Sequence, residues 1–395
     1  VRERVRLSDL SVLFVCLSHG WGTTERRCLA DASYFRNIGG ASFILCHEKS
    51  LVDREAERED IPRLYFASDL DSWRTKLNFY FQIQTILHKQ QVDIIHSYNY
   101  ESLLPLGMIL KGLPHIPMVF TFNEDVYWRR NNLLDRWFIS RTDAIFTFAA
   151  NIRDLAIEKF PVNQRKIHIT GSGIDFPLPG RTAKAGARPG DDRRKIATFV
   201  SRAEANLEGL RFFVDAIPPL LHSLAAADYG SPLLFTFLTD ISWYTHPLYE
   251  NLKRMILERH LEMQISFETR PLASASFRDC DLYLGLPETE LFSDQDLYAL
   301  VTQTPVLLPR TATRQELVKQ GKFGATYHPE DQRELRDKIA QILLNHSQYL
   351  EELGGVEVEL QEKHHFERYA EELYAHYEKL YTQRLRYSQK QKRLA

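Results

Sequence analysis

The chain has 395 residues, 44% of them hydrophobic and 26% charged, with a formal net charge of -2. That length accommodates two α/β domains, each burying its own core, and the balance excludes a disordered chain. The near-neutral charge supplies no global field that would draw the molecule to nucleic acid.

Other exclusions follow from what the sequence lacks. The four cysteines (Cys16, Cys28, Cys46 and Cys280) are scattered without a C-x-x-C pair. They read as small core residues in a reducing compartment. No apolar run reaches the ~18 residues of a membrane-spanning helix. The opening Val1-Arg2-Glu3-Arg4-Val5-Arg6 is charged and lacks the apolar core of a secretory signal, so a cytoplasmic location is expected.

Strand-like runs alternate with helical patterns from the start. Ser11–Leu17 predicts a strand, Glu25–Asn37 a helix and Ser42–Cys46 a second strand. Trp73–Gln90 is a helix, and Asp93–His96, Pro117–Phe122, Asp143–Phe148 and Ile167–Thr170 continue the strands. Such alternation predicts a doubly wound parallel sheet. It ends at Phe176. Residues 177–194 are rich in proline and glycine and read as a linker.

A second series follows. It comprises strand Ile196–Val200, helix Leu207–Leu221, strand Leu233–Leu238, helix His246–Arg259 and strands Gln264–Phe267 and Leu282–Leu286, then helix Leu297–Thr302 and strand Pro305–Leu308. The expected organisation is a first domain over 1–176, a linker over 177–194, a second domain over 195–363 and a C-terminal helix from 364 returning to the first domain. Helical patterning runs from Asp331 onward, and the tail carries Arg384, Arg386, Lys390, Lys392 and Arg393 with no acid after Glu378. That basic end is either a solvated helix terminus favoured by its macrodipole or a patch suited to peripheral contact with anionic lipid on the inner face of a membrane.

The stretch from Asp279 to Pro309 is the most informative. Its apolar run ends at Pro287, carboxylates follow at Glu288 and Glu290, and an amphipathic segment leads to Thr304-Pro305-Val306. In open α/β sheets, ligands bind beyond the carboxyl ends of strands, where those acids fall. A helix beginning near 291–293 would aim free N–H groups at an anion such as a diphosphate.

Landmarks in fixed order then make the chain resemble a retaining glycosyltransferase of the GT-B fold, family 4. Gly20-Trp21-Gly22-Thr23-Thr24-Glu25-Arg26 resembles the family's first glycine loop, Val92-Asp93-Ile94-Ile95-His96 its D-I-I-H strand, and Ser172-Gly173-Ile174-Asp175 its N-G-V-D turn. Val200-Ser201-Arg202 with Glu208-Gly209 resembles the G-R-L…K-G segment, and Asp281–Val306 the E-x7-E block. Gln315-Glu316-Leu317-Val318 with Gly324 and Asp331 resembles the P-E-x-V…G…D that follows. The resemblance implies two Rossmann-like domains facing across a cleft and a reaction without metal. As the nucleoside diphosphate leaves, its growing negative charge is met by cations and helix dipoles.

On that basis Arg202 matches the diphosphate arginine, joined there by the backbone of Leu291, Phe292, Ser293, Gly20 and Gly22. Glu290 matches the first acid of the block, near the sugar. Three positions depart from the pattern. Glu208 replaces the family lysine, and an inward carboxylate there would repel a diphosphate. Tyr298 replaces the acid that holds the ribose diol, and one hydroxyl cannot accept two hydrogen bonds as a carboxylate does. Asn123 replaces the histidine facing the reacting carbon, so acid–base work would fall to Glu124, Asp125 or the substrate.

A second register pairs Glu288 with Asp296. His96, Tyr98, Glu124 and Trp128 are assigned to the acceptor side; Tyr98, Tyr100, Tyr127 and Trp128 form an aromatic cluster suited either to stacking on sugar rings or to core packing, and His96 either packs at a strand end or faces the acceptor. His364 and His365 have no partner at ligand spacing, so neither metal nor cofactor is expected. Two readings stay open. One is a transferase moving a sugar from a UDP or GDP donor to a glycan, lipid-linked or protein acceptor. The other is a pseudo-glycosyltransferase acting as a glycan- or protein-binding subunit in a homo- or hetero-oligomer.

Overall fold

In the computed structural model the described residues are 6–123, 132–174, 176, 193–200, 207–287 and 293–394, without the side chains of Gln320 and 387–394. They form two units, Val1–Gly173 with Phe366–Ala395 and Ile174–His365.

The first unit runs β1 (Ser11–Val15), α1 (Thr23–Asn37), β2 (Ala41–Cys46), α2 (Leu51–Arg58), β3 (Arg63–Tyr65), α3 (Trp73–Gln90) and β4 (Ile94–Ser97). It continues through α4 (Leu103–Gly112), β5 (Met118–Phe122), α5 (Leu133–Ile139), β6 (Ala144–Thr147), α6 (Ala150–Lys159) and β7 (Ile167–Ile169). The sheet has the order β3-β2-β1-β4-β5-β6-β7, with every pairing parallel. Strands β1, β4, β5 and β6 are buried at every position, as an apolar run covered on both faces requires. Strand β3 escapes the sequence reading because Arg63-Leu64-Tyr65 is an edge strand with no buried residue.

In the second unit the elements are β8 (Arg194–Phe199), α7 (Leu207–Ala226), β9 (Leu233–Thr239), α8 (Tyr249–Glu258), β10 (Ile265–Thr269) and β11 (Leu282–Leu284). Then come α9 (Asp294–Val301), β12 (Val306–Pro309), α10 (Ala312–Leu317), β13 (Gly324–Tyr327), α11 (Gln332–Leu344), α12 (His346–Glu352) and α13 (Val356–His364). The parallel sheet has the order β10-β9-β8-β11-β12-β13. Helix α7 continues through Pro218 and Pro219, beyond its expected end. Each proline removes a helical hydrogen bond, but burial of Leu210, Phe213, Val214, Ile217, Leu220 and Leu224 outweighs that loss.

The last helix, α14 (Phe366–Leu394), belongs to the first unit. Its Tyr369, Ala370, Leu373, Tyr374 and Tyr377 recur at helical spacing and are buried in that unit's core. Three tyrosines on a buried face bring three hydroxyls that need partners; Asp31 of α1 serves Tyr369 and Tyr374, and His96 of β4 serves Tyr377. Tyr98 and Tyr369 donate to Asp31 Oδ2 at 2.5 and 2.8 Å, and Tyr374 donates to the Asp31 carbonyl at 3.1 Å.

Two glycines have conformations their positions demand. Gly173 has φ +59°, and a Cβ there would lie 2.3 Å from Arg27 Nη1 and 2.5 Å from the Tyr369 ring, while the Arg27 guanidinium donates to its carbonyl. Gly324, which opens β13, has φ +153°, and a Cβ would meet the Val306 carbonyl at 2.1 Å. Only glycine fits either place.

Candidate functional site

Both sheets reverse strand order at a point where ligands bind in this architecture. In the second unit that point lies between β8 and β11, which pair in parallel through Ile196–Leu282 and Ala197–Tyr283. Arg202, Glu290, Leu291 and Phe292 lie outside the described residues, as does Glu288, but the strands leading to their loops are these two neighbours.

Past that loop, Ser293 precedes α9 and is 2% exposed. Its N–H donates to Asp296 Oδ2 at 3.3 Å, so the amide expected to face a diphosphate already has an anionic partner. Asp296, the acid of the second register, is itself fully buried and receives Arg314 Nε at 3.0 Å. Arg314 is 1% exposed. That pair anchors α9 to α10, and a carboxylate so enclosed is not presented to a ribose. Its Oδ1 is buried without a hydrogen-bond partner, close beneath Gly285. Tyr298 lies two residues further along α9 and is half-buried. Glu208 is exposed in the first turn of α7, where a carboxylate is favoured by the helix macrodipole.

In the first unit the reversal falls between β1 and β4. Asn99 fixes the loops that leave them: its Oδ1 accepts the Leu17 N–H at 2.5 Å. Gly20 and Gly22 follow β1. The Gly20 amide donates to Ser18 Oγ at 3.0 Å and the Gly22 amide to Glu25 Oε2 at 2.6 Å. Glu25 is 4% exposed, so an incoming phosphate would have to displace a buried carboxylate from the start of α1. Neither glycine offers an open amide.

Asn123 differs. It directly follows β5, is 2% exposed, and both Oδ1 and Nδ2 are buried without a hydrogen-bond partner among the described residues. An unpaired buried amide costs about 1–3 kcal/mol per group. Such a cost, at the carboxyl end of a central strand, calls for an explanation, and a ligand's polar atoms would be one. Glu124 and Trp128 lie outside the described residues, as do Asp125 and Tyr127.

His96 and Tyr98 are placed in the core, 0% and 2% exposed. His96 Nδ1 lies 2.5 Å from Tyr377 Oη and Nε2 lies 2.8 Å from Thr121 Oγ1. Burial pushes its imidazole down to about 3, so the ring is neutral at physiological pH. Burial likewise raises the Asp31 carboxyl to about 6, against the opposing pull of Arg27 at 3.6 Å and of the two tyrosine hydroxyls. The strand-end histidine of the D-I-I-H pattern is thus a joint between the sheet and α14. Sequence spacing gave no sign of Asp31 or of Arg314, whose partners lie far away in the chain.

Comparison with known proteins adds the following. Residues 24–176 match the model of Glycosyltransferase Family 4. No curated protein matches at the sequence level. A glycosyltransferase from Rickettsia africae ESF-5 superposes with TM-score 0.73 at 16% identity, over 94% of this chain and 98% of that one. HepE from Anabaena, solved with UDP and glucose, gives TM-score 0.68 at 15% identity over 93% and 98%. The pneumococcal O-GlcNAc transferase GtfA, solved with UDP and GlcNAc, gives 0.68 at 9% identity over 94% and 99%. Likeness at such identities establishes the fold: the paired parallel sheets are the GT-B fold. Among the described residues no helix is long and apolar enough to cross a membrane.

Proposed function

We propose that the chain is a family 4 glycosyltransferase that moves a sugar, with retention, from a nucleotide-sugar donor to a glycan, lipid-linked or protein acceptor. The observation that carries this reading is Asn123. Its amide is sealed from water and unpartnered at the end of β5, inside the segment that matches the family model. A sugar hydroxyl can both donate to Oδ1 and accept from Nδ2, which turns an unpaired group into a binding determinant. Because Asn123 cannot titrate, its role is to orient the sugar, while charge on the leaving diphosphate is met by Arg202 and the residues beside Glu290. Uridine diphosphate is the first nucleotide to try, since related folds such as HepE and GtfA were solved with UDP.

One observation favours the alternative, a binding subunit without transfer activity. The first turn of α9 holds Asp294 and Asp296, both buried, and the Ser293 amide is already engaged. Negative charge there opposes a diphosphate.

A thermal-shift panel of UDP- and GDP-sugars separates the two. Ligand at 100 times its Kd raises stability by roughly 2.7 kcal/mol, an easily measured shift. Stabilisation by a nucleotide sugar, lost on Arg202→Ala, supports the transferase. A flat response across the panel, with glycan binding retained, overturns it in favour of the binding subunit.

A further inference from the structure

We propose that His19, His47 and Asp69 form a binding site for a divalent transition cation of the zinc type. The three residues come from separate loops. His19 follows β1, His47 directly follows β2 and Asp69 follows β3. These strands are consecutive neighbours at one edge of the first sheet, so parallel pairing brings their carboxyl ends together.

The His19 and His47 rings stack with centroids 4.4 Å apart and planes inclined by 6°. Their Nε2 atoms converge on one oxygen, Asp69 Oδ1, at 2.9 and 3.5 Å. One ligand atom from each residue lies within 4.8 Å of the other two. Tetrahedral zinc, with bonds near 2.0–2.1 Å to nitrogen and oxygen, spaces its ligands by roughly 3.3 Å. The observed separations bracket that edge.

The surroundings of His47 suit a metal ligand. Its Nδ1 lies 2.8 Å from the Phe66 carbonyl, which can only accept, so Nδ1 carries the proton. In the neutral ring Nε2 then presents a lone pair. That atom is buried, has no hydrogen-bond partner, and faces a carboxylate oxygen. Two acceptors at that distance repel unless a positive centre lies between them. A histidine oriented by a backbone carbonyl on its far nitrogen is the usual arrangement for a metal ligand. The other two ligands are exposed, His19 at 67% and Asp69 at 56% of the side chain, so they can close on an ion by small rotations. Two imidazoles and one carboxylate leave a fourth position for water or a substrate oxygen.

The test uses the full chain, stripped with chelator and titrated with Co²⁺ and with Zn²⁺. One equivalent of Co²⁺ should bind with the visible absorption of a four-coordinate site, and Zn²⁺ should displace it. His19→Ala and Asp69→Asn, both at exposed positions, should each weaken binding by roughly 100-fold or more, beyond the loss expected from a second-shell partner alone. His88→Ala, an exposed histidine on α3, should leave binding unchanged. The proposal is overturned if neither metal binds saturably. It is equally overturned if His19→Ala and Asp69→Asn retain wild-type affinity, or if NMR shows His47 doubly protonated and paired with Asp69 with no metal uptake.

Discussion

Replacing Asp31 by asparagine tests how α14 is held to the first sheet. Asparagine keeps an acceptor oxygen for Tyr98 and Tyr369 but removes the titrating group. Burial raises the wild-type carboxyl from its ordinary 3.8 to about 6. The folded protein therefore holds this proton more tightly than the unfolded chain. The stability linked to it is complete below about pH 4 and is lost as the pH rises through about 6. With ~1.36 kcal/mol per pKa unit, the whole loss is about 3 kcal/mol, of which about 1.4 kcal/mol falls between pH 5 and pH 8. Asp31→Asn carries no such loss. Any deficit it has relative to wild type should therefore shrink by about 1.4 kcal/mol over that range. Hydrogen-exchange protection of α14 amides, corrected for intrinsic rates, measures the gap without assuming that both units unfold together. A gap that is constant or that widens with pH would show that Arg27 keeps the carboxylate ionised in the folded state, and would refute the argument.

Other substitutions probe the remaining joints. Asp296→Ala, which strands the buried Arg314, should cost about 3–5 kcal/mol in the unfolding of the second unit, whereas Asp296→Leu combined with Arg314→Met should recover much of it. Denaturant titration of the single and double variants decides this. Gly324→Ala places a methyl 2.1 Å from the Val306 carbonyl at a backbone angle alanine avoids, and should lower the second unit's stability by at least about 2 kcal/mol. Asn123→Leu should leave thermal stability unchanged or higher, since it removes two unpaired polar atoms, while reducing sugar transfer or sugar binding. A drop in stability would mean the amide has a partner after all. Burial alone would raise the Asp279 carboxyl, but hydrogen bonds from Arg270 and Lys195 outweigh it and hold it well below the usual range. Its contribution is complete above about pH 4 and lost on acidification, so Arg270→Gln should move acid unfolding of the second unit to higher pH, as followed by circular dichroism.

Much of the architecture was legible because strands buried on both faces must be apolar throughout, and β1, β4, β5 and β6 are. Helix α3 was readable to its ends, since Ser72 caps one end and Gln91 adopts φ +50° at the other. The strands passed over were those whose pattern is weak: β3 lies at an edge with no buried residue, and β13 is four residues opened by a glycine at positive φ. At the site, sequence order brought out Asn123 in the place of the family's histidine, and it left His96 and Tyr98 between an acceptor side and core packing; the structure buries both. They are buried because α14, more than 270 residues later in the chain, covers them and supplies Tyr377 as a partner.

By itself, then, the sequence determined the two α/β series and the loops that leave the carboxyl ends of their strands. Periodicity and turn chemistry are local properties, written within a few residues of where they act. Only the tertiary structure decided which polar groups are satisfied. Asp31 finds its tyrosine partners just past β4 and on α14, Asp296 finds Arg314 on another helix, and His47 meets His19 and Asp69 across three loops, while Asn123 finds none among the described residues. Hydrogen bonding and ion pairing depend on distances of about 3 Å between groups that chain order leaves unrelated, and those distances exist only once the parallel sheet has aligned the strand ends.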